Sequence, residues 1–131
     1  MEIKRTILVL EDEKPLQEAI KAKLQNSGLE VITARSVEEA EAKLNDLKTV
    51  DAIWLDHYLL GRENGLDFVT KLKTDGSSHK QIPVFVVSNT ANPDKVRSYI
   101  QLGVNKYYTK ANYRLEQIIG DIQAFFDKKE E

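Results

Sequence analysis

Short apolar runs alternate along this chain with segments of helical periodicity, and that alternation limits the fold more than any other feature. Ile7-Leu8-Val9-Leu10 is the first run, unbroken as in strands covered on both faces. It stops at Glu11-Asp12-Glu13. Pro15 then suits the first turn of a helix striped by Leu16, Ala19, Ile20 and Leu24 and ended by Asn26-Ser27-Gly28. Val31-Ile32 marks a second strand. Ser36 and Glu39 have capping-box spacing before a helix striped by Val37, Ala40, Leu44 and Leu47. Val50 to Leu55 is a third strand that ends at Asp56. After a loop with Gly61, Asn64-Gly65 opens a helix with Leu66, Val69 and Leu72 inside. Pro83 to Val87 is a fourth strand, with proline at its first residue, where it is tolerated, and it ends at Ser88-Asn89-Thr90. Asn92-Pro93-Asp94 starts the next helix and Gly103 stops it. Lys106-Tyr107-Tyr108-Thr109 is a fifth, less apolar strand, expected at a sheet edge. Leu115, Ile118, Ile119, Ile122, Phe125 and Phe126 stripe the last helix.

Five strands alternating with five helices imply an α/β fold, a doubly wound parallel sheet with right-handed crossovers. At 131 residues the chain is expected to be one domain, with a core over about 5–126 and a solvated tail at 127–131. The 19 basic and 21 acidic side chains leave a formal charge of −2, which argues against binding nucleic acid or an anionic membrane through bulk charge. With no cysteine, disulfides, thiolate zinc sites and thiol catalysis are excluded. There is no signal-peptide layout and no apolar run approaching about 18 residues, so a soluble, cytoplasmic protein is expected.

In such a fold, ligands bind outside the carboxyl ends of the strands. Glu11 and Asp12 follow the first strand, Asp56 the third, Ser88 and Asn89 the fourth, and Lys110 the fifth. A parallel sheet brings all of them to one edge. Three converging carboxylates call for a cation, and oxygen-only ligands suit a hard ion, Mg2+ first. With such an ion, Lys110 and Ser88 can take the oxygens of a phosphoryl group and Asp56 can serve as its nucleophile. Each residue alone is more simply a helix cap, a solvated loop side chain or local charge balance. The set is harder to dismiss, because its members fall independently at the ends of strands that the fold gathers. Gly-x-Gly-x-x-Gly after the first strand, a P-loop and a Gly-x-Ser-x-Gly elbow are all missing.

Ile7 to Asp12, Leu55-Asp56, Val87-Ser88 and Tyr107 to Lys110, in this order and spacing, resemble the receiver domain of two-component response regulators, the CheY-like, flavodoxin-like fold. The resemblance runs from about Arg5 to about Phe126. It implies strand order 2-1-3-4-5. It also implies that Asp56 accepts a phosphoryl group from a sensor histidine kinase or a histidine phosphotransfer protein. Asp12 is then a direct Mg2+ ligand with Asp56, Glu11 acts through water, and Tyr58 supplies a backbone carbonyl. Ser88 and Lys110 contact the phosphoryl group, and Tyr107 is the aromatic switch. The chain would catalyse only its own phosphorylation and dephosphorylation. It would signal in trans to a downstream protein through the face of helix 4, strand 5 and helix 5, as a monomer or weak homodimer.

Four departures from the family pattern bear on this. Ala111 replaces the proline after the lysine, so the loop there is open to rearrangement, and Lys110 with it. Leu59-Leu60 replaces a Met/Leu-Pro pair, and the loop Gly61 to Gly65 is one residue longer than the common form. Asn89 is larger than the usual residue beside Ser88. They leave open a pseudo-receiver, a protein-interaction module that works without phosphate. A magnesium-dependent phosphatase lacks its paired Asp-x-Asp and any cap domain. Among smaller features, Trp54 reads as core, His57 as a loop side chain directed away from the site, and His79 as solvated. Lys71, Lys73 and Lys80 read as a solvated face, and Tyr107 and Tyr108 as neighbours facing opposite ways.

Overall fold

Each apolar run forms a strand whose successive residues feed two separate cores. The computed structural model describes residues 4–46, 49–90 and 92–130. Its elements are β1 (Thr6–Leu10), α1 (Lys14–Asn26), β2 (Glu30–Ala34), α2 (Val37–Asp46), β3 (Ala52–Leu55), α3 (Gly65–Leu72), β4 (Val84–Ser88), α4 (Pro93–Leu102), β5 (Lys106–Thr109) and α5 (Leu115–Glu130). A single 3-10 turn, Lys110–Asn112, joins β5 to the last connection. The strands are parallel in the order β2-β1-β3-β4-β5, so β5 is an edge, as its composition suggests, and β2 is the other.

Period-two alternation explains the layers. Ile7, Val9, Trp54, Phe85, Val87 and Tyr108 point to one face, where α1 and α5 pack with Ile20, Leu24, Ile118 and Ile122. Leu8, Leu10, Ile53, Leu55 and Val86 point to the other, against Val37 and Leu44 of α2, Phe68 and Val69 of α3, and Tyr99 of α4. Tyr107 and Tyr108 therefore belong to opposite cores, and Trp54 is fully buried. Leu47, part of the expected α2 stripe, lies outside the described residues.

Local signals set most boundaries. Asn92 accepts from the amides of Asp94 and Lys95 at the start of α4, and Gly103 ends that helix at φ 96°, a left-handed conformation suited to glycine. Asn64 and Asp67 form a reciprocal capping box on α3. Before α2 the box is incomplete. Ser36 Oγ accepts from the Glu39 amide at 3.1 Å, but the Glu39 carboxylate takes the amide of Arg35.

The structure corrects several sequence readings. β3 covers Ala52–Leu55 and does not begin at Val50; Asp51, just before it, bonds Thr6 twice, its amide donating to the Thr6 carbonyl and its carboxylate accepting from the Thr6 amide, each at 2.8 Å. α5 continues to Glu130, so the solvated tail expected at 127–131 is helical over 127–130, with Asp127 and Lys128 exposed. Lys73 is not on a solvated face. It is half-buried and its ammonium donates to the carbonyls of Lys80 and Ile82. His79 is half-buried beside α3, not freely solvated.

Candidate functional site

The carboxyl ends of β1 and β3 lie side by side, and their register places two acids together. Leu10 pairs with Leu55, the Asp56 amide donates to the Leu10 carbonyl at 3.0 Å, and the Glu11 amide donates to the Ala34 carbonyl at 3.0 Å. Glu11 and Asp56 are both buried, at 0% and 5% exposure, and Asp12 stands half-buried beside them. One carboxylate oxygen from each of the three lies within 4.8 Å of the others.

Lys110 spans this cluster from the end of β5. Its Nζ lies 2.9 Å from Glu11 Oε1 and 3.2 Å from Asp56 Oδ2. Ala111 has not turned the lysine away. The peptide after it is trans, and Lys110–Asn112 close a short 3-10 turn that leaves the ammonium over the acids. Ser88 is fully buried at the end of β4, and its Oγ accepts from the Thr90 amide at 3.4 Å. Sequence reasoning named Glu11, Asp12, Asp56, Ser88 and Lys110. The structure brings the three acids and Lys110 into one cluster and places Ser88 on the next strand end.

Electrostatics describe a site with surplus negative charge. Burial pushes the Glu11 carboxyl up to about 7, helped by the charge of Asp56 and opposed by the bond from Lys110. Burial pulls the Lys110 ammonium down, but its bonds to Glu11 and Asp56 win and hold it above the ordinary lysine range. Burial is thus the main cause at Glu11, and pairing with two carboxylates decides the direction at Lys110. Asp56 Oδ1 is buried and has no hydrogen-bond partner among the described residues. A buried carboxylate oxygen left bare is costly, and a hard divalent cation held by Glu11, Asp12 and Asp56 would satisfy it.

Tyr107 and Tyr58 flank the cluster differently. The Tyr107 hydroxyl donates to the Thr90 carbonyl at 2.5 Å, and its ring packs 5.7 Å from that of Tyr99. Burial raises its phenol above the usual range. Tyr58 follows Asp56 by two residues, with its side chain exposed and the Lys95 ammonium 5.3 Å over its ring. Asn89 is exposed at the rim.

Residues missed in the sequence hold the loops in place. Arg35 donates through Nε at 3.0 Å and Nη2 at 2.8 Å to the Asp12 carbonyl, while its own carbonyl accepts from the Leu60 amide at 3.0 Å. One residue thus ties together the loop carrying Asp12 and the loop that follows Asp56. Gln17, buried on α1, donates to the carbonyls of Glu11 and Ala34. The Leu59-Leu60 variation is accommodated: Leu59 packs on the core, and Leu60 pairs with Ser36 in an isolated parallel bridge. His57, expected as a loop side chain directed away from the site, has its partner in α4. It is buried, however, with Nδ1 2.7 Å from the Tyr99 hydroxyl. No sequence period marks Arg35, Gln17 or the His57–Tyr99 pair, since each contact joins residues from different elements.

Comparison with known proteins agrees with this geometry. The family model of the response regulator receiver domain matches residues 7–123. The phosphate regulon transcriptional regulatory protein PhoB of Pseudomonas aeruginosa is 31% identical over 81% of this chain and 45% of its own length. Chemotaxis protein CheY1 of Helicobacter pylori is 30% identical over 79% of this chain and 83% of its length. The chain spans about half the length of the PhoB relatives it matches. The crystal structure of the phosphorylated cyanobacterial phytochrome response regulator RcpA superposes with a TM-score of 0.79 at 30% identity, covering 94% of this chain and 91% of that one. A two-component response regulator from Clostridium difficile, at 20% identity, shares the fold with a TM-score of 0.87 over 98% of this chain and 100% of that one.

Proposed function

We propose, from the premise that this chain belongs to the response regulator receiver domain family, that it accepts a phosphoryl group on Asp56 and signals through the resulting change of shape. The observation that carries this reading is Lys110 held 3.2 Å from Asp56, beside two further acids and a carboxylate oxygen without a partner. The donor would be the phosphohistidine of a sensor histidine kinase or a histidine phosphotransfer protein. A carboxylate oxygen of Asp56 attacks phosphorus as the N–P bond breaks, and the imidazole leaves with the electron pair. Mg2+ held by Asp12, Asp56, the Tyr58 carbonyl and, through water, Glu11 would neutralise the oxygens that gather there. Lys110 then pairs with a phosphoryl oxygen. The buried Ser88 hydroxyl would swing from the Thr90 amide to another, and Tyr107 would follow it. The chemistry is confined to the chain's own aspartate, with no separate substrate turned over.

Output would pass to a protein partner over the surface of α4, β5 and α5. No described helix is long and apolar enough to cross a membrane, in keeping with action in the cytoplasm. A phosphorylation-independent module draws its support from Ala111, but the retained contact of Lys110 with Asp56 favours phosphorylation.

The test is incubation with Mg2+ and acetyl phosphate, followed by intact-mass measurement. A gain of one phosphoryl group, absent in Asp56→Asn and without Mg2+, is expected. No gain at saturating donor would overturn the reading.

A further inference from the structure

Four aromatic rings stand in a row between the loop after Asp56 and the edge of the sheet. The Tyr58 ring meets that of His57 edge to face at 4.8 Å, His57 meets Tyr99 edge to face at 5.7 Å, and Tyr99 lies 5.7 Å from Tyr107 on β5. They come from the loop after β3, from α4 and from β5, so no sequence period groups them. Tyr99 joins the two halves of the row and is completely buried. Its hydroxyl lies 2.7 Å from Nδ1 of the buried His57. Gly65 leaves the space for this pair: a Cβ there would collide with that hydroxyl and stand 3.1 Å from His57 Cα. Stability alone does not call for such a pair, because two apolar side chains of the same shape can fill a buried site with little or no loss. What a buried polar bond adds is a fixed position, since the rings cannot slide apart without leaving a donor and an acceptor bare.

The row connects two places that matter to the phosphorylation reading above, on which this inference rests. At one end His57 follows Asp56 directly, and its carbonyl accepts from the Gly65 amide at 2.9 Å. At the other, Tyr107 is half-buried and its hydroxyl donates to the Thr90 carbonyl at 2.5 Å. We infer that Tyr99 is a positioning residue: through its bond to His57 and its packing on Tyr107, it transmits a change at Asp56 to the β5 tyrosine. A shift of the main chain beside Asp56 moves Nδ1, the Tyr99 hydroxyl follows its partner, and the ring contact passes the displacement on. This path runs through α4 and does not include Ser88. The chemistry at Asp56 is left to the acids, Lys110 and Ser88, so Tyr99 governs the response and not the transfer.

Rings labelled with 13C give NMR signals for the five tyrosines of the chain, and Tyr107→Phe identifies the one on β5. The protein is treated with Mg2+ and excess acetyl phosphate, the phosphorylated fraction is read by intact mass on the same sample, and displacements of the Tyr107 signal are compared at equal fraction. Tyr99→Phe keeps the ring and removes the hydroxyl, so it should be phosphorylated like the wild type while the Tyr107 displacement falls to about half or less. His57→Leu should do the same. His57→Asn, which carries a hydrogen-bonding atom as many bonds from the backbone as Nδ1, should restore most of the displacement. An undiminished displacement in Tyr99→Phe overturns the inference, whether or not the His57 variants fold, and so does a loss in His57→Asn as large as in His57→Leu. A wild-type protein that gains no phosphoryl group overturns the phosphorylation reading and this inference with it. A phosphorylated wild-type protein whose Tyr107 signal stays in place overturns this inference alone.

Discussion

His57 and Tyr99 meet beneath the loop that leaves Asp56: Nδ1 of one lies 2.7 Å from the hydroxyl of the other, both side chains are buried, and their rings stand edge to face at 86°. The contact joins the residue next to Asp56 to the middle of α4. Tyr99→Phe keeps the ring and removes the hydroxyl, leaving His57 without that partner. A loss of about 1–3 kcal/mol is expected, read as a lower urea midpoint with an unchanged m-value.

Gly65 explains why this contact fits. A Cβ at that position would collide with the Tyr99 hydroxyl and stand 3.0 Å from the Asp56 carbonyl oxygen. Gly65→Ala should cost about 3 kcal/mol. Adding Tyr99→Phe removes the worse clash, so the double variant should be more stable than the sum of the two single losses, measured as a double-mutant cycle.

Two buried groups work against each other as pH changes. Burial, followed by the charge of Lys95, lowers the His57 imidazole below 6.5, so below that pH the unfolded chain binds the proton more readily. That contribution to stability is full above 6.5 and is lost as pH falls. Glu11 is raised from 4.5 to about 7, chiefly by burial, so the folded protein keeps a proton that the unfolded chain releases, and stability is lost as pH rises through that window. Without Mg2+, Glu11→Gln should remove the second trend and leave a protein whose melting temperature falls steadily below about pH 6.5. A flat profile in that variant would exclude the buried neutral imidazole.

Arg35 touches no carboxylate of the cluster, yet it fixes the main chain at Asp12. Arg35→Ala should weaken Mg2+ binding about 10–100-fold with the fold retained, as expected for a residue that orients a ligand without being one. Titration calorimetry checks this. Unchanged affinity would mean that the loop holds its shape without the guanidinium.

The layout was readable in the sequence wherever a local rule decides it. Ile7 to Leu10 and Pro83 to Val87 announce two-faced strands, Asn92-Pro93 a helix start, and Gly103 a stop. Parallel topology then brings Glu11, Asp12, Asp56 and Lys110 to one edge without further information. What escaped depends on distance across the fold. The Asp51 carboxylate accepts from the Thr6 amide, 45 residues away, and Lys73 turns inward because the carbonyls of Lys80 and Ile82 face it. His57 is buried because Tyr99, 42 residues away, supplies its partner. Ala111 suggested a displaced lysine by comparison with a proline-containing pattern, but one 3-10 turn restores its reach.

The double hold of Arg35 fastens the acidic end of the sheet on its β2 side. On the β2 side, one side chain and its own carbonyl rivet two loops together. On the β4–β5 side, Ser88 Oγ accepts from the Thr90 amide and the Tyr107 hydroxyl donates to the Thr90 carbonyl. A change at Asp56 therefore meets loops tied through Arg35 on one side and, on the other, the buried contact of His57 with Tyr99 of α4.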